Sequence, residues 1–282
     1  MLSSKKDLLV KCEKLGISCS KSLAKEKLVE LINQKEKTKI ITIENKKQTV
    51  VKYIYHLADL HIRYLERHEE YKQIFEKLYE TIKEDPDRKE SILVICGDIF
   101  HNRDRFVSET LVLFNDFIKN LSNLVEIFVI VGNHDCFNNS DRLDTVSGIA
   151  SIKEYSNFHL LKYSGTYLFS NISFGVSSLL DCLGLPFPYK EKDMTTVALY
   201  HGIVSGCVLD NGINSSDGIP VSSFNGYDIS LLGDVHRRQF LNKDKTIAYP
   251  GSLIQQSLKE LLTLVRVSLK HQQNLSKLCL HS

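Results

Sequence analysis

The sequence predicts an α/β protein with a second sheet, on three observations. From residue 50 onward, short β-branched and aromatic runs recur, each closed by polar or Gly-rich residues: Val50 to Leu57, Ile92 to Cys96, Glu126 to Val131, Thr196 to Tyr200 and Ile229 to Leu232. Between the first three lie stretches with apolar residues at helical spacing, so the order strand, helix, strand, helix, strand predicts one α/β layer. Residues 158 to 178 hold three further β-like runs split by Ser-Gly and Ser-Asn, which predict a second, antiparallel sheet.

Taken in order, the elements begin with a basic head. Leu8, Leu9, Cys12 and Leu15, then Leu23, Leu28, Leu31 and Ile32, fall at helical spacing around the break Gly16-Ile17-Ser18, which predicts two short helices joined by a turn. The stretch KKDLLVKCEKLGISCSKSLAKEKLVELI resembles a SAP module, a helix-turn-helix DNA-binding unit, in its leucine spacing, its turn glycine Gly16 and its closing LVELI. A module over residues 1–36 is followed by a polar linker over 37–50, a body over 51–256 and a short tail over 257–282. Within the body, Tyr71, Ile74, Phe75, Leu78, Tyr79 and Ile82 mark the inner face of a first helix, and Leu111, Phe114, Phe117, Ile118 and Leu121 that of a second.

Composition removes several classes. With 282 residues, 43% of them hydrophobic and 25% charged, the chain is long enough for one large domain with an appendage, and it is neither collagen-like nor wholly disordered. Its longest apolar runs fall far short of the ~18 residues of a membrane span, and the Lys-rich start is no secretory leader, so an intracellular protein without a bilayer crossing is expected. Seven scattered cysteines without a CxxC pair read as reduced thiols. The net charge of +2 hides an asymmetry: residues 1–50 carry 12 Lys against 6 Asp and Glu, leaving 24 Lys and Arg against 28 Asp and Glu in the rest. A basic head on an acidic body fits a head that meets a polyanion and a body that holds cations.

Polar residues able to bind metal directly follow five predicted strands: Asp59 and His61 in HLADLHIR, Asp98 in ICGDIFHNR, Asn133 and His134 in VGNHD, His201 in LYHG, and Asp234 and His236 in LLGDVH. Loops beyond strand C-termini of an α/β sheet converge on one edge, so residues distant in sequence meet there. Singly, each has a dull reading as a turn residue, helix cap or structural histidine. Jointly they do not, because the tetrapeptide Gly132-Asn133-His134-Asp135 alone is expected on the order of 10⁻³ times in such a chain at average residue frequencies.

The ordered set DxH, GD, GNHD, HG and GxxH resembles the calcineurin-like metallophosphoesterase superfamily over residues 52 to 256. The resemblance implies an α/β/β/α sandwich of two sheets. It also implies one metal on Asp59, His61, Asp98 and His236 and a second on Asp98, Asn133, His201 and Asp234, with Asp98 bridging. Imidazole, carboxylate and amide donors without thiolate suit two divalent ions, Mn²⁺ first, with Mg²⁺, Fe or Zn²⁺ also compatible. The resemblance further makes His134 the group that binds phosphate oxygens and protonates the leaving group, with Asp135 orienting it. One departure stands out: where the superfamily usually reads GHxH, this chain has Gly233-Asp234-Val235-His236, which raises the ligand charge to −3 and biases the site toward Mn²⁺ or Mg²⁺.

Two further runs narrow the choice. Gly97-Asp98-Ile99-Phe100-His101 resembles the GDLFH of DNA double-strand-break-repair nucleases related to bacterial SbcD, and Tyr249-Pro250-Gly251-Ser252 resembles that family's YPGS run. His101 is then either a second active-site histidine or a cap of the next helix. Arg237 and Arg238 are either phosphate contacts or plain surface. Those nucleases work with an SbcC-like ATPase, docked through a segment after the YPGS run. Only 30 residues follow Ser252 here, with room for a strand around Leu261 to Val267, so that partner is doubtful. Compact versions of this kind resemble those of large DNA viruses. The expected function is therefore a metal-dependent DNA nuclease of repair or recombination. The alternatives are a phosphatase or phosphodiesterase acting on proteins or small molecules, and a non-catalytic scaffold that binds DNA through its head.

Overall fold

The computed structural model describes residues 4–14, 22–37, 39–137, 143–149, 154–181, 183–254 and 265–269. Two helices, α1 (Lys5–Lys14) and α2 (Lys25–Lys37), precede a short strand β1 (Ile40–Thr42). A strand-helix alternation follows: β2 (Tyr53–Leu57), α3 (His68–Glu84), β3 (Ser91–Cys96), α4 (Ser108–Ser122), β4 (Glu126–Ile130), α5 (Thr145–Gly148) and β5 (Phe158–Leu160). Next come β6 (Gly165–Phe169), β7 (Ile172–Ser177), β8 (Thr195–His201), β9 (Ile229–Gly233), β10 (Gln239–Phe240), β11 (Ile247–Tyr249) and β12 (Val265–Ser268). No helix among the described residues is long and apolar enough to cross a membrane.

The strands form two sheets, ordered β12-β2-β3-β4-β5 and β1-β6-β7-β8-β9-β11-β10. Because successive strand side chains point to opposite faces, β3 feeds two cores. Leu93 and Ile95 meet α3 and α4 on the outer face, whereas Ile92, Val94 and Cys96 join Phe128, Phe174, Val197 and Leu231 between the sheets. The helix faces close the outer core as the spacing predicts, with Tyr71, Ile74, Phe75, Leu78, Tyr79 and Ile82 buried on α3 and the Phe75 and Phe117 rings 4.1 Å apart. Leu111 alone of the predicted α4 face is only partly buried; Thr110 and Leu113 turn inward instead. The far face of the seven-stranded sheet is covered by residues 202–228, which hold a single 3₁₀ turn (Val221–Phe224).

Three expectations change in detail. Of the β-like runs in 158–178, only β6 and β7 form an antiparallel hairpin in the second sheet; β5 adds parallel to β4 in the first. Most of the second sheet is parallel, with β8 beside β7, β9 beside β8 and β11 beside β9. The stretch read as linker supplies β1, an exposed edge strand pairing Ile40, Ile41 and Thr42 with Thr166, Tyr167 and Leu168. The strand expected in the tail is β12, and its antiparallel pairing with β2 makes that part of the tail an edge of the first sheet. Arg266 fastens that strand: its guanidinium lies 2.5 Å from Asp87, 3.3 Å from Asp85 and 3.6 Å from the centre of the Tyr53 ring. In the head, Leu8, Cys12, Leu28 and Ile32 pack the two helices together, and Phe187 of the body leans on that cluster.

Candidate metal centre

Strands β2, β3 and β4 run parallel in one sheet and β8 and β9 in the other, so their C-terminal ends meet at one edge of the sandwich. The chain turns sharply at each end. Asp59, His61, Asp98 and Asp234 all adopt positive φ, at 54°, 48°, 53° and 96°, a conformation costing about 1–3 kcal/mol in a residue with a side chain. Backbone bonds between the loops hold these turns, with Asp59 N–H donating to Gly97 O at 3.1 Å and His61 N–H to Asp98 O at 3.0 Å. The glycine of GNHD is a steric necessity: a Cβ on Gly132 would sit 2.2 Å from the Asp98 backbone nitrogen and carboxylate.

Around His201 the structure gathers acceptors. Its Nδ1 lies 2.7 Å from the Cys96 carbonyl, which only accepts, so Nδ1 carries a proton and Nε2 is the nitrogen turned to the cluster, to hold there either a second proton or a metal ion. Facing that nitrogen are Asn133 Oδ1 at 2.9 Å, Asp98 Oδ1 at 3.3 Å and Asp234 Oδ1 at 3.8 Å. The Asn133 oxygen meets acceptors alone, and only a swapped amide would give each neighbour a donor. Amide, carboxylate and imidazole lone pairs turned on one another are the arrangement that a shared cation reconciles. A second group sits beside it. His61 Nε2 lies 3.0 Å from His236 Nε2 and 3.6 Å from Asp98 Oδ2, and Asp59, His61 and His236 can offer ligand atoms within 4.8 Å of one another, as can Asp59, Asp98 and His201. Asp98 spans both groups, one oxygen toward each. The donor set therefore fits two divalent cations.

Electrostatics point the same way. Burial pushes the Asp59 carboxyl up to about 7. Asp98 is also buried, which would raise it, but His201 and His61 hold it well below the ordinary carboxylate range. Burial would lower His201, yet Asp98, Asp59 and Asp234 outweigh it and take the imidazole up to about 10, while burial depresses His61 to about 3. Three carboxylates packed around His201 demand positive charge, which either a proton or a metal ion can supply.

His134 is placed beside this cluster. Its backbone N–H donates to Asp98 Oδ1 at 2.8 Å, and its Nδ1 lies 2.7 Å from the His101 carbonyl, so that Nε2 is the ring nitrogen left for other chemistry. Its ring stands 4.8 Å from that of His61 and stacks on that of His101 at 5.5 Å. His101 thus joins the site; it does not cap α4, whose N-terminus has no side-chain cap. Asp135 has a different contact from the one expected. Its carboxylate accepts from the backbone N–H groups of Ile99, Phe100 and Gly132 at 3.2, 3.0 and 3.0 Å, so it locks two ligand loops together while the His101 carbonyl holds His134. Burial raises its carboxyl to about 7. Asp210, absent from every motif, stands 3.0 Å from His236 Nδ1, and that hydrogen bond holds its carboxyl low.

Two sheets with carboxylate, imidazole and amide donors gathered at one strand edge define the class, an α/β sandwich with a candidate two-metal centre. The family model of the calcineurin-like phosphoesterases matches residues 52–249, and the chain belongs to that family. An uncharacterised protein, R555, of Acanthamoeba polyphaga mimivirus is 37% identical over 234 residues, covering 79% of this chain and 17% of its own length. The putative phosphoesterase 244L of Invertebrate iridescent virus 6 is 26% identical over 175 residues, 60% of each protein. The DNA double-strand break repair protein Mre11 of Methanosarcina acetivorans is 28% identical over 235 residues, 73% of this chain and 34% of its own. The chain thus spans less than two thirds of each of these relatives.

Proposed function

We propose that the chain is a two-metal phosphodiesterase that cleaves DNA. The observation that carries this reading is the placing of His134, an imidazole set beside the acceptor cluster with its Nδ1 committed to a backbone carbonyl. Two divalent cations, on Asp59, His61, Asp98 and His236 and on Asp98, Asn133, His201 and Asp234, would make a hydroxide nucleophile available near neutral pH and neutralise charge on the phosphoryl oxygens. The chain's own residues supply the rest. The His101 carbonyl and the Asp98 carboxylate fix His134 at its ring and its backbone. His134, as the imidazolium, donates a proton from Nε2 to the departing alkoxide oxygen, as a diester with a poor leaving group requires. Asp135, through three backbone amides, keeps the Asp98 and Asn133 loops in register.

DNA as substrate is supported by the GDIFH and YPGS runs, by the basic head, and by similarity to a protein named for DNA double-strand break repair. Mn²⁺ is the proposed metal, because three carboxylates and an amide are hard oxygen donors. Incubating the full chain with Mn²⁺ and end-labelled single- and double-stranded DNA tests the reading, in parallel with bis-p-nitrophenyl and mono-p-nitrophenyl phosphate. Cleaved DNA and preferred turnover of the diester, both stopped by EDTA, are expected. Preference for the monoester with intact DNA would instead favour a phosphatase, and no metal-dependent turnover of any substrate would favour a scaffold.

A further inference from the structure

The imidazoles facing the acceptor cluster are not held alike. His201 is buried, and a backbone carbonyl inside the sandwich fixes its ring. His236 stands at the mouth, its side chain 22% exposed, and its Nδ1 partner is the carboxylate of Asp210, 3.0 Å away and itself 44% exposed. That carboxylate comes from the long connection between β8 and β9, at a tight turn in which Gly212 N–H donates to Leu209 O at 2.8 Å and Leu209 N–H to Ile213 O at 2.9 Å. The turn is clasped from the other side. The Gln239 side-chain amide accepts from Val208 N–H and donates to Val208 O, both at 2.8 Å, two residues before Asp210. Gln239 opens β10, three residues after His236, so one short segment carries the imidazole and grips the loop that supplies its partner.

We propose that Asp210 is a positioning residue for His236: it fixes the imidazole as the Nδ1–H tautomer, turns Nε2 toward His61, and thereby strengthens metal binding in that half of the centre. The proton assignment follows from chemistry, since an ionised carboxylate only accepts and a neutral imidazole then has its lone pair on Nε2. The result is visible in the 3.0 Å approach of His236 Nε2 to His61 Nε2. A carboxylate behind a ligating histidine both orients the ring and raises its basicity, and losing such a partner typically costs about 10–100-fold in metal affinity. This inference rests on reading the cluster as a metal centre.

Calorimetric titration of the metal-stripped full chain with Mn²⁺ tests both, with the wild type expected to show two sites. Asp210→Ala should weaken one of them by about 10–100-fold and leave the other unchanged. Asp210→Asn, which keeps an acceptor oxygen without the charge, should fall between the two. Because Asp210 acts through His236, adding Asp210→Ala to His236→Ala should cause no further loss. Unfolding of the metal-free variants should match that of the wild type. Two wild-type-like sites in Asp210→Ala, or a full additional loss in the His236→Ala background, would overturn the inference while leaving the metal centre standing. A wild-type chain that took up no Mn²⁺ would overturn the metal-centre reading and the inference with it.

Discussion

Asp59, His61, Asp98 and Asp234 share a position as well as a chemistry: each lies within four residues of the end of a buried strand, in a positive-φ turn that ordinary selection for stability would give to glycine. That is why the site could be read from short motifs. Side chains attached directly to strand ends need no knowledge of long loops to be brought together. Asp210 escaped for the opposite reason, lying in a loop without a motif, 26 residues before the histidine it touches. Asp135 misled because adjacency in sequence says nothing of where a side chain turns, and its carboxylate faces backbone amides. Asp98 lies between both donor groups, so Asp98→Asn should lose both bound metals while His236→Asn loses one; elemental analysis of dialysed protein reads this directly. Two metals retained by Asp98→Asn would remove it from its bridging place. His134→Asn should lower DNA cleavage by about 10²–10⁴-fold, cost a nitrophenyl diester far less because nitrophenolate leaves without a proton, and keep metal content near wild type. Equal losses on the two substrates would point to phosphate positioning instead of proton transfer.

Periodicity located the elements better than it placed them in sheets. The α3 face is buried residue for residue as its spacing predicts, since a helix against a sheet has one apolar stripe and little freedom in using it. The three-residue strands β1 and β5 carry too little pattern to reveal a partner, and the direction of pairing in the second sheet depends on where long connections return, which local sequence does not encode. Strand β2 carries a consequence of burial. His56 is fully buried with Nε2 bonded to the Leu232 carbonyl at 3.1 Å, and burial lowers its imidazole to about 3. The unfolded chain, with an ordinary histidine near 6.5, takes up a proton that the folded chain refuses. The contribution of His56 is therefore intact above pH 6.5 and lost as pH falls toward 3, at about 1.4 kcal/mol per pH unit, or roughly 5 kcal/mol in all. Asp59 and Asp135 oppose it, because carboxyls raised toward 7 bind protons more readily folded than unfolded. Comparing wild type with His56→Gln isolates the term: in urea unfolding with EDTA at pH 7 and pH 4.5, the wild type should lose about 2–3 kcal/mol more than the variant across that interval. Parallel losses would show that His56 is protonated in the folded chain.

Over the whole chain, charge is sorted by element. The first 50 residues carry an excess of six positive charges and the remainder an excess of four negative ones, and the remainder also holds the buried donor cluster that itself calls for cations. A polyanion would be repelled by the body without bound metal and drawn by the head, so if the chain cleaves DNA as proposed, the head is where sequence-independent affinity is expected. Deleting the head is a poor test of this idea. Removal through residue 45 would strip β1 from its sheet, and removal of the helices alone would uncover Phe187. Neutralising exposed lysines in the intact chain avoids both problems. Lys5, Lys6 and Lys27 project from α1 and α2, and Lys27 meets an acid in an exposed pair with Glu30, which is worth little to stability. The triple variant Lys5→Gln, Lys6→Gln, Lys27→Gln should unfold as the wild type does and turn over a small chromogenic diester at the same rate. Its DNA affinity should fall most at low salt, and the slope of log affinity against log salt should shrink by up to about three, near one for each phosphate that a lysine no longer neutralises. Identical affinities and slopes across the titration would take DNA binding away from the head and assign it to the strand edge that holds the donor cluster.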